Sequence, residues 1–451
     1  MKIILSISFL LLSFIAFSQK NISREQAYAD IDSLQAIMME VHYNPFLFIK
    51  ESDFHSKTTS LKKTIKDSIS LKDFTLLLYK VTALLKDGHT CPAFSQPQFS
   101  DDRKREIFFP YSVVVQNGSI YIPKTTSMMS GIPAGVRITA INGRDISGLA
   151  ANMDKFIGGN APYARELATK LFPYFLYLND LTAPFTVSYT DDKNKGTKTI
   201  EKGLNYRNAL AVTLPGILKS YDFDILNNKL GYLDFRSMNG NLNEVDKYFD
   251  SCITLLKTKN INTLAIDLRK NTGGDSKFGD LLISYFYTGN YALMGGRKWK
   301  ISQRYKDHIG SKGNPNYLEK ENGTILESGD CKPHKPKFIN DNVYGGKVYL
   351  ITGPLTFSSA NMIADGVKHY KICEIIGEPT GENTNDFGEV ITFTLPNSKL
   401  VIQTTTSYDI GADCNSNIQQ PVMPDILLKA TLTDKINERD VVLDYLLKQI
   451  K

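Results

Sequence analysis

Three short segments of this chain hold residue types that can do hydrolytic chemistry. Ser358 lies in Thr356-Phe357-Ser358-Ser359-Ala360-Asn361, directly after the apolar run Lys347–Pro354. A strand that stops at Gly353-Pro354, followed by small residues, predicts a helix opening near the serine. Free backbone N–H groups and the helix dipole favour negative charge there. An oxyanion formed in acyl transfer would be stabilised at that point. The same position also suits a serine that only caps the helix.

The second segment is Leu264–Asp275, an apolar strand running into Arg269-Lys270-Asn271-Thr272 and then Gly273-Gly274. Paired glycines let a backbone approach a ligand with its N–H groups exposed; they also serve any turn that needs positive φ. The third is Lys86-Asp87-Gly88-His89-Thr90, read as a histidine directly after a helix that ends at Gly88. Such a histidine can act as a general base or simply complement the helix C-terminus.

In this order the three segments resemble the C-terminal processing (tail-specific) protease family and its tricorn-type relatives. A fourth piece, Ile375-Ile376-Gly377-Glu378-Pro379-Thr380, resembles the strand that follows the nucleophile in that family. The resemblance implies an α/β catalytic domain of the crotonase-like ββα superhelix type over 206–451. It implies Ser358 as nucleophile and backbone N–H groups of Gly273 or Gly274 and of Ser359 as the oxyanion hole. In the tail-specific branch the base is a lysine, which the alignment places at Asn383; Gly381–Asp386 contains no lysine or arginine. His89 matches the tricorn-type base instead. His369, eleven residues beyond Ser358 on the same helix, would lie about 16 Å away at ~1.5 Å per residue. Tricorn-type proteins place a serine beside the histidine, where this chain has Gly88, and a late glutamate, which Tyr408–Asp425 lacks. Asp409, Asp413 and Glu382 remain open as the third member. Asp267 and Arg269 are expected to hold the turn rather than react.

The elements that must position these residues follow from patterning. Ser23-Arg24-Glu25-Gln26 is a capping-box pattern, and a second apolar helical stripe starts at Ser70, giving a helical domain over 19–105. Residues 106–205 alternate as short strands; Gly131–Arg144, with Ile138, Ile141, Asn142 and Gly143, resembles a bacterial PDZ turn, with Val136 where an aspartate is usual. Such a domain binds peptides by adding a strand. From about residue 206, strands alternate with helices, which predicts a largely parallel sheet. The stretch from Gly295 to Gly346 reads as a long loop over one end of that sheet.

Met1-Lys2, an apolar stretch to Phe17 and Ser18 read as a signal peptide over 1–18, too short for a span of ~20 residues. A periplasmic or secreted protein with no membrane span in the mature chain is expected. The net charge of +6 includes Lys2, too mild and dispersed to point to nucleic acid. Five cysteines at irregular spacing exclude a repeated metal motif; Cys331 and Cys414 could pair in an oxidising compartment. No cofactor or metal is expected. Together these readings describe an exported serine endopeptidase acting on peptides or unfolded protein tails. The alternatives are a catalytically inactive peptide- or ligand-binding homologue on the same fold and, against the export signal, an acyl-CoA enzyme.

Overall fold

Ser23 caps the helix Arg24–Val41, its hydroxyl taking the Gln26 N–H while the Gln26 side chain takes the Ser23 N–H. This computed structural model describes residues 21–310, 315–417 and 419–450; the expected signal peptide lies outside the described residues. A second helix, Leu71–Ala83, is capped by Ser70. It ends at Ala83, five residues before the glycine expected to stop it. Lys86 turns the chain at φ 57°, and Gly88 serves another purpose. A Cβ there would lie 2.7 Å from the Phe357 ring, so the glycine makes room for the residue before Ser358.

Next comes an antiparallel sheet in the order Val114–Gln116, Ser119–Tyr121, Arg137–Ile141, Phe185–Thr190, Lys195–Ile200. Its first hairpin turns through Asn117 and Gly118, both at positive φ, as a two-residue hairpin turn requires. Leu34, Phe74, Leu78, Phe109, Phe172 and Phe185 belong to one continuous apolar core. The N-terminal helices and this sheet therefore pack as one unit against each other.

From Tyr221 a six-stranded sheet runs in the order Tyr221–Leu226, Leu230–Phe235, Thr263–Asp267, Lys347–Thr352, Glu374–Gly377, Ile426–Leu427. Only the first pair is antiparallel. Leu264 and Ile266 pack with the helices Leu242–Thr258, Lys277–Ser284 and Ser359–His369. Ala265, between them, packs on the opposite face with Val442 and Leu446 of the helix Val441–Gln449. Burial on both faces explains why these strands read as unbroken apolar runs.

The stretch expected to be a loop, Gly295 to Gly346, contains the strands Gly296–Lys300 and Ile325–Ser328. They join Val401–Ile410 and Asp386–Thr394 in a second sheet. Arg297, Lys298 and Lys300 disguised the first strand as polar loop. Their charges are used: Lys298 meets Glu327 at 3.1 Å, and Arg297 pairs with Asp409. Cys331 and Cys414 are disulfide-bonded, Cα to Cα 5.7 Å, tying the end of this segment to the loop after Ile410. Cys91 pairs with Gln403 on the same sheet, which holds the His89 turn against this sheet.

Candidate active site

Ser358 stands at the junction of the strand Lys347–Thr352 and the helix Ser359–His369. Carboxyl ends of parallel strands are where open α/β sheets gather their ligands. The approach is fixed by hydrogen bonds. Thr356 Oγ1 takes the Gly353 N–H at 3.0 Å and donates to Leu268 O at 2.9 Å, and Phe357 N donates to Asn271 O at 3.1 Å. Ser358 is then held at φ 54°, ψ −132°. A non-glycine residue there is strained, as at the sharp strand-to-helix elbow that lifts a nucleophilic serine out of a sheet. Its N–H donates to Glu382 Oε2.

Gly273 and Gly274 lie against this elbow with φ 96° and 139°. A Cβ on Gly273 would sit 2.7 Å from Ser358 Cβ and 3.0 Å from Ser359 N. Glycine is thus required twice, by conformation and by contact. The Gly273 N–H is already spent on Asn271 Oδ1 at 2.9 Å. This departs from the expectation that either glycine could serve as an oxyanion donor: of the three expected donors, Gly274 N and Ser359 N have no acceptor among the described residues. Ser359 Oγ donates to Gly274 O at 2.5 Å, locking the turn to the helix. Below them Asp267, fully buried, accepts from Tyr232 Oη and from Arg269, which also reaches Asp440. Burial opposes ionisation of Asp267, but Arg269 overcomes it and holds the carboxyl below the usual range.

His89 is 8% exposed and lines the same cleft as Ser358. Its ring packs on Phe357 at 4.6 Å, and Phe357 stacks on Tyr163 at 4.1 Å. Behind it stands Asp87, with no exposed surface. Asp87 accepts from His89 N at 2.8 Å, Thr90 Oγ1 at 2.5 Å, Thr405 Oγ1 at 2.9 Å and His42 Nε2 at 3.2 Å. The His42 tautomer follows from its other nitrogen: Asn44 N–H donates to Nδ1, so a neutral ring carries its proton on Nε2, facing Asp87. Burial would raise the Asp87 pKa, but His42 and His89 outweigh it and keep the carboxyl well below its ordinary range. His89 Nδ1 lies 3.4 Å from Glu382 Oε1 and 3.5 Å from Asp87 Oδ1. Neither ring nitrogen has a hydrogen-bond partner among the described residues, and the bonds of a general base often tighten only on substrate binding.

Of the three acids left open by the sequence, only Glu382 stands beside His89. Asp409 is gripped by the Arg297 guanidinium on both oxygens. Asp413 lies in an exposed loop and accepts the Asn415 N–H. Glu382 is pushed well above the usual carboxylate range by burial and by the charge of Asp386. Burial and the Asp87 charge raise Asp386 to about 7. The cleft measures about 520 Å³, and no lysine lines it among the described residues. Asn383, at the aligned lysine position, lines the cleft with its Nδ2 toward Gln419 Oε1 at 3.4 Å. His369 is exposed at the far end of its helix.

Sequence reading missed Asp87, His42 and Asp386. Asp87 stands in the quoted segment, where the sequence reads as a helix end. His42 and Asp386 reach the site only through tertiary packing, 45 residues from Asp87 in the first case.

With this geometry in view, residues 229–428 match Peptidase family S41. That match supports a serine-type peptidase. Its fold is that of mature CPAF, solved in complex with lactacystin: TM-score 0.64 at 14% identity, covering 94% of this chain and 97% of that one. Two more distant similarities are the photosystem II D1 C-terminal processing protease (TM-score 0.42, 12% identity, 91% and 96% covered) and a putative peptidase from Parabacteroides merdae (0.45, 15%, 95% and 96%). No curated protein matches the chain. No helix among the described residues is long and apolar enough to cross a membrane.

Proposed function

We propose that the chain is an exported serine endopeptidase of the Ser–His kind, cleaving peptides or protein tails. One observation carries the reading: a serine at a strained elbow, backed by a Gly-Gly turn, shares a lysine-free cleft with a buried histidine whose ring nitrogens are uncommitted. Ser358 Oγ attacks the scissile carbonyl while His89 takes its proton. The developing oxyanion meets the N–H groups of Gly274 and Ser359. His89 then passes the proton to the leaving amine, and water releases the acyl group by the reverse sequence. Glu382 and Asp87 orient the imidazole and stabilise its cation. Such a cation would arise beside three buried or half-buried carboxyl groups, Asp87, Glu382 and Asp386. The missing lysine supports the tricorn-type branch over the Ser–Lys branch. Export rests on the apolar N-terminal sequence.

Kinetics of Ser358→Ala, His89→Ala and the double variant test the assignment. Each single change should lower kcat by about 10³-fold or more, and the double should be no worse, because the two act as one unit. Undiminished hydrolysis by Ser358→Ala would remove the serine from the reaction.

A further inference from the structure

A concave surface larger than the Ser358 cleft lies elsewhere on the molecule. A groove of about 1520 Å³ runs between the helix Glu51–Lys62, the helix Leu71–Ala83 and the segment 144–164. Its floor is apolar, with Ile146, Phe156, Ile157 and Leu181 buried and Leu61 and Leu84 half-buried. Six cations line it: Lys50, Lys57, Lys80, Lys86, Arg144 and Lys155. Not one of them has a carboxylate within salt-bridge distance among the described residues. Lys155 reaches Asn152 Oδ1 at 2.7 Å, Arg144 reaches Asn179 O, and Lys80 stands over the Phe156 ring at 5.6 Å. The acids of the groove are Asp53, Asp145 and Asp154, and Asp145 is occupied by Ser147. The surplus, six cations against three acids, is three positive charges.

We infer that this groove binds an acidic polypeptide segment, with its carboxylates on the lysine rim and its apolar side chains on the floor. Size argues for a polypeptide, since pockets for small ligands run to roughly 1,000 Å³. Charge argues for an acidic one: cations left unpaired along an apolar floor raise the local concentration of an anionic chain. The groove also adjoins the catalytic turn. A Cβ on Gly159 would lie 3.5 Å from Gly88 Cα, and Asn160, which lines the groove, caps the helix carrying Tyr163, the ring stacked on Phe357. A segment in the groove would therefore lie behind the wall of the catalytic site. The inference is independent of the assignment of the base, because binding is measured on protein that need not turn over.

The test is fluorescence anisotropy of a fluorescein-labelled peptide of about 12 alternating Glu and Leu residues, ~40 Å long when extended at ~3.3 Å per residue. It is titrated with the mature Ser358→Ala protein. Expected are saturable binding, at least tenfold weakening at high salt, and at least tenfold weakening in Lys50→Glu/Lys57→Glu/Lys155→Glu. These three side chains are exposed, so the triple variant should keep the parent Tm. No saturable binding, equal binding by the variant, or equal binding of a peptide with Lys in place of Glu would overturn the inference. Capture of anionic vesicles with no peptide binding would also overturn it and assign the groove to a lipid surface.

Discussion

Two concave surfaces of the molecule, the Ser358 cleft and the groove beside the N-terminal helices, carry charge in opposite ways. In the Ser358 cleft the carboxyl groups are largely buried and stacked close together. Asp386 and Asp87 push Glu382 up, Asp87 pushes Asp386 up, and the Arg297 guanidinium pairs with Asp409 and Glu389. In the groove the cations are five lysines and Arg144 on flexible stems in water, outnumbering three aspartates over an apolar floor. Buried charge costs stability and is sustained only by dense hydrogen bonding; exposed charge costs little and acts through its field. The cleft is thus built to hold one geometry, and the groove to attract.

The comparison is broken most severely at Asp87. An Asp87→Asn variant loses the anion and turns an amide toward hydroxyl and N–H donors that need an acceptor. Hydrolysis should fall about 10²- to 10⁴-fold, in the range of a triad carboxylate replaced by its amide. The acidic limb of kcat/KM should also move to lower pH, because an anion beside an imidazole favours its charged form. A merely structural role would lower activity without moving the limb. A smaller effect is expected at Asn383. Asn383→Lys adds a cation to a cleft that holds Glu382 and Asp386, where it should pair with a carboxylate instead of serving as base; kcat/KM should drop about tenfold. A large gain would return the base to the Ser–Lys arrangement.

The smallest effect concerns stability. Asp365, on the Ser358 helix, is pushed up to about 7 by burial and accepts the Ala412 N–H. Its folded pKa lies above its unfolded one, so the native state is penalised increasingly as pH rises from about 4 through 7. Asp365→Asn keeps the acceptor and removes the charge. Tm should rise by about 2–4 °C at pH 8 and hardly at all at pH 4. An equal rise at both pH values would mean that ionisation of this group is not what matters.

Much of the catalytic half was legible in sequence because its signals are local. The strand ending at Gly353-Pro354, the small residues after it and the Gly273-Gly274 turn are each read within a few residues. What was hidden depends on contacts between distant segments. Gly88 looks like a helix stop, yet its missing side chain accommodates Phe357. Gly296–Lys300 carries three cations in five residues, and its strand character comes from pairing with Val401–Ile410. Glu382 was one of several acids in sequence; only folding brings it to 3.4 Å from His89. Asp87 was in plain view but gained its meaning from Thr405 and His42.

The central claim is that Ser358 is a nucleophile activated by His89. Treating the purified mature protein with a fluorophosphonate probe and mapping the adduct by mass spectrometry tests it most directly. The expected result is one phosphonylated residue, Ser358, with labelling lost in His89→Ala at unchanged Tm. Labelling at another residue, or a folded protein that leaves Ser358 unmodified, would contradict the account.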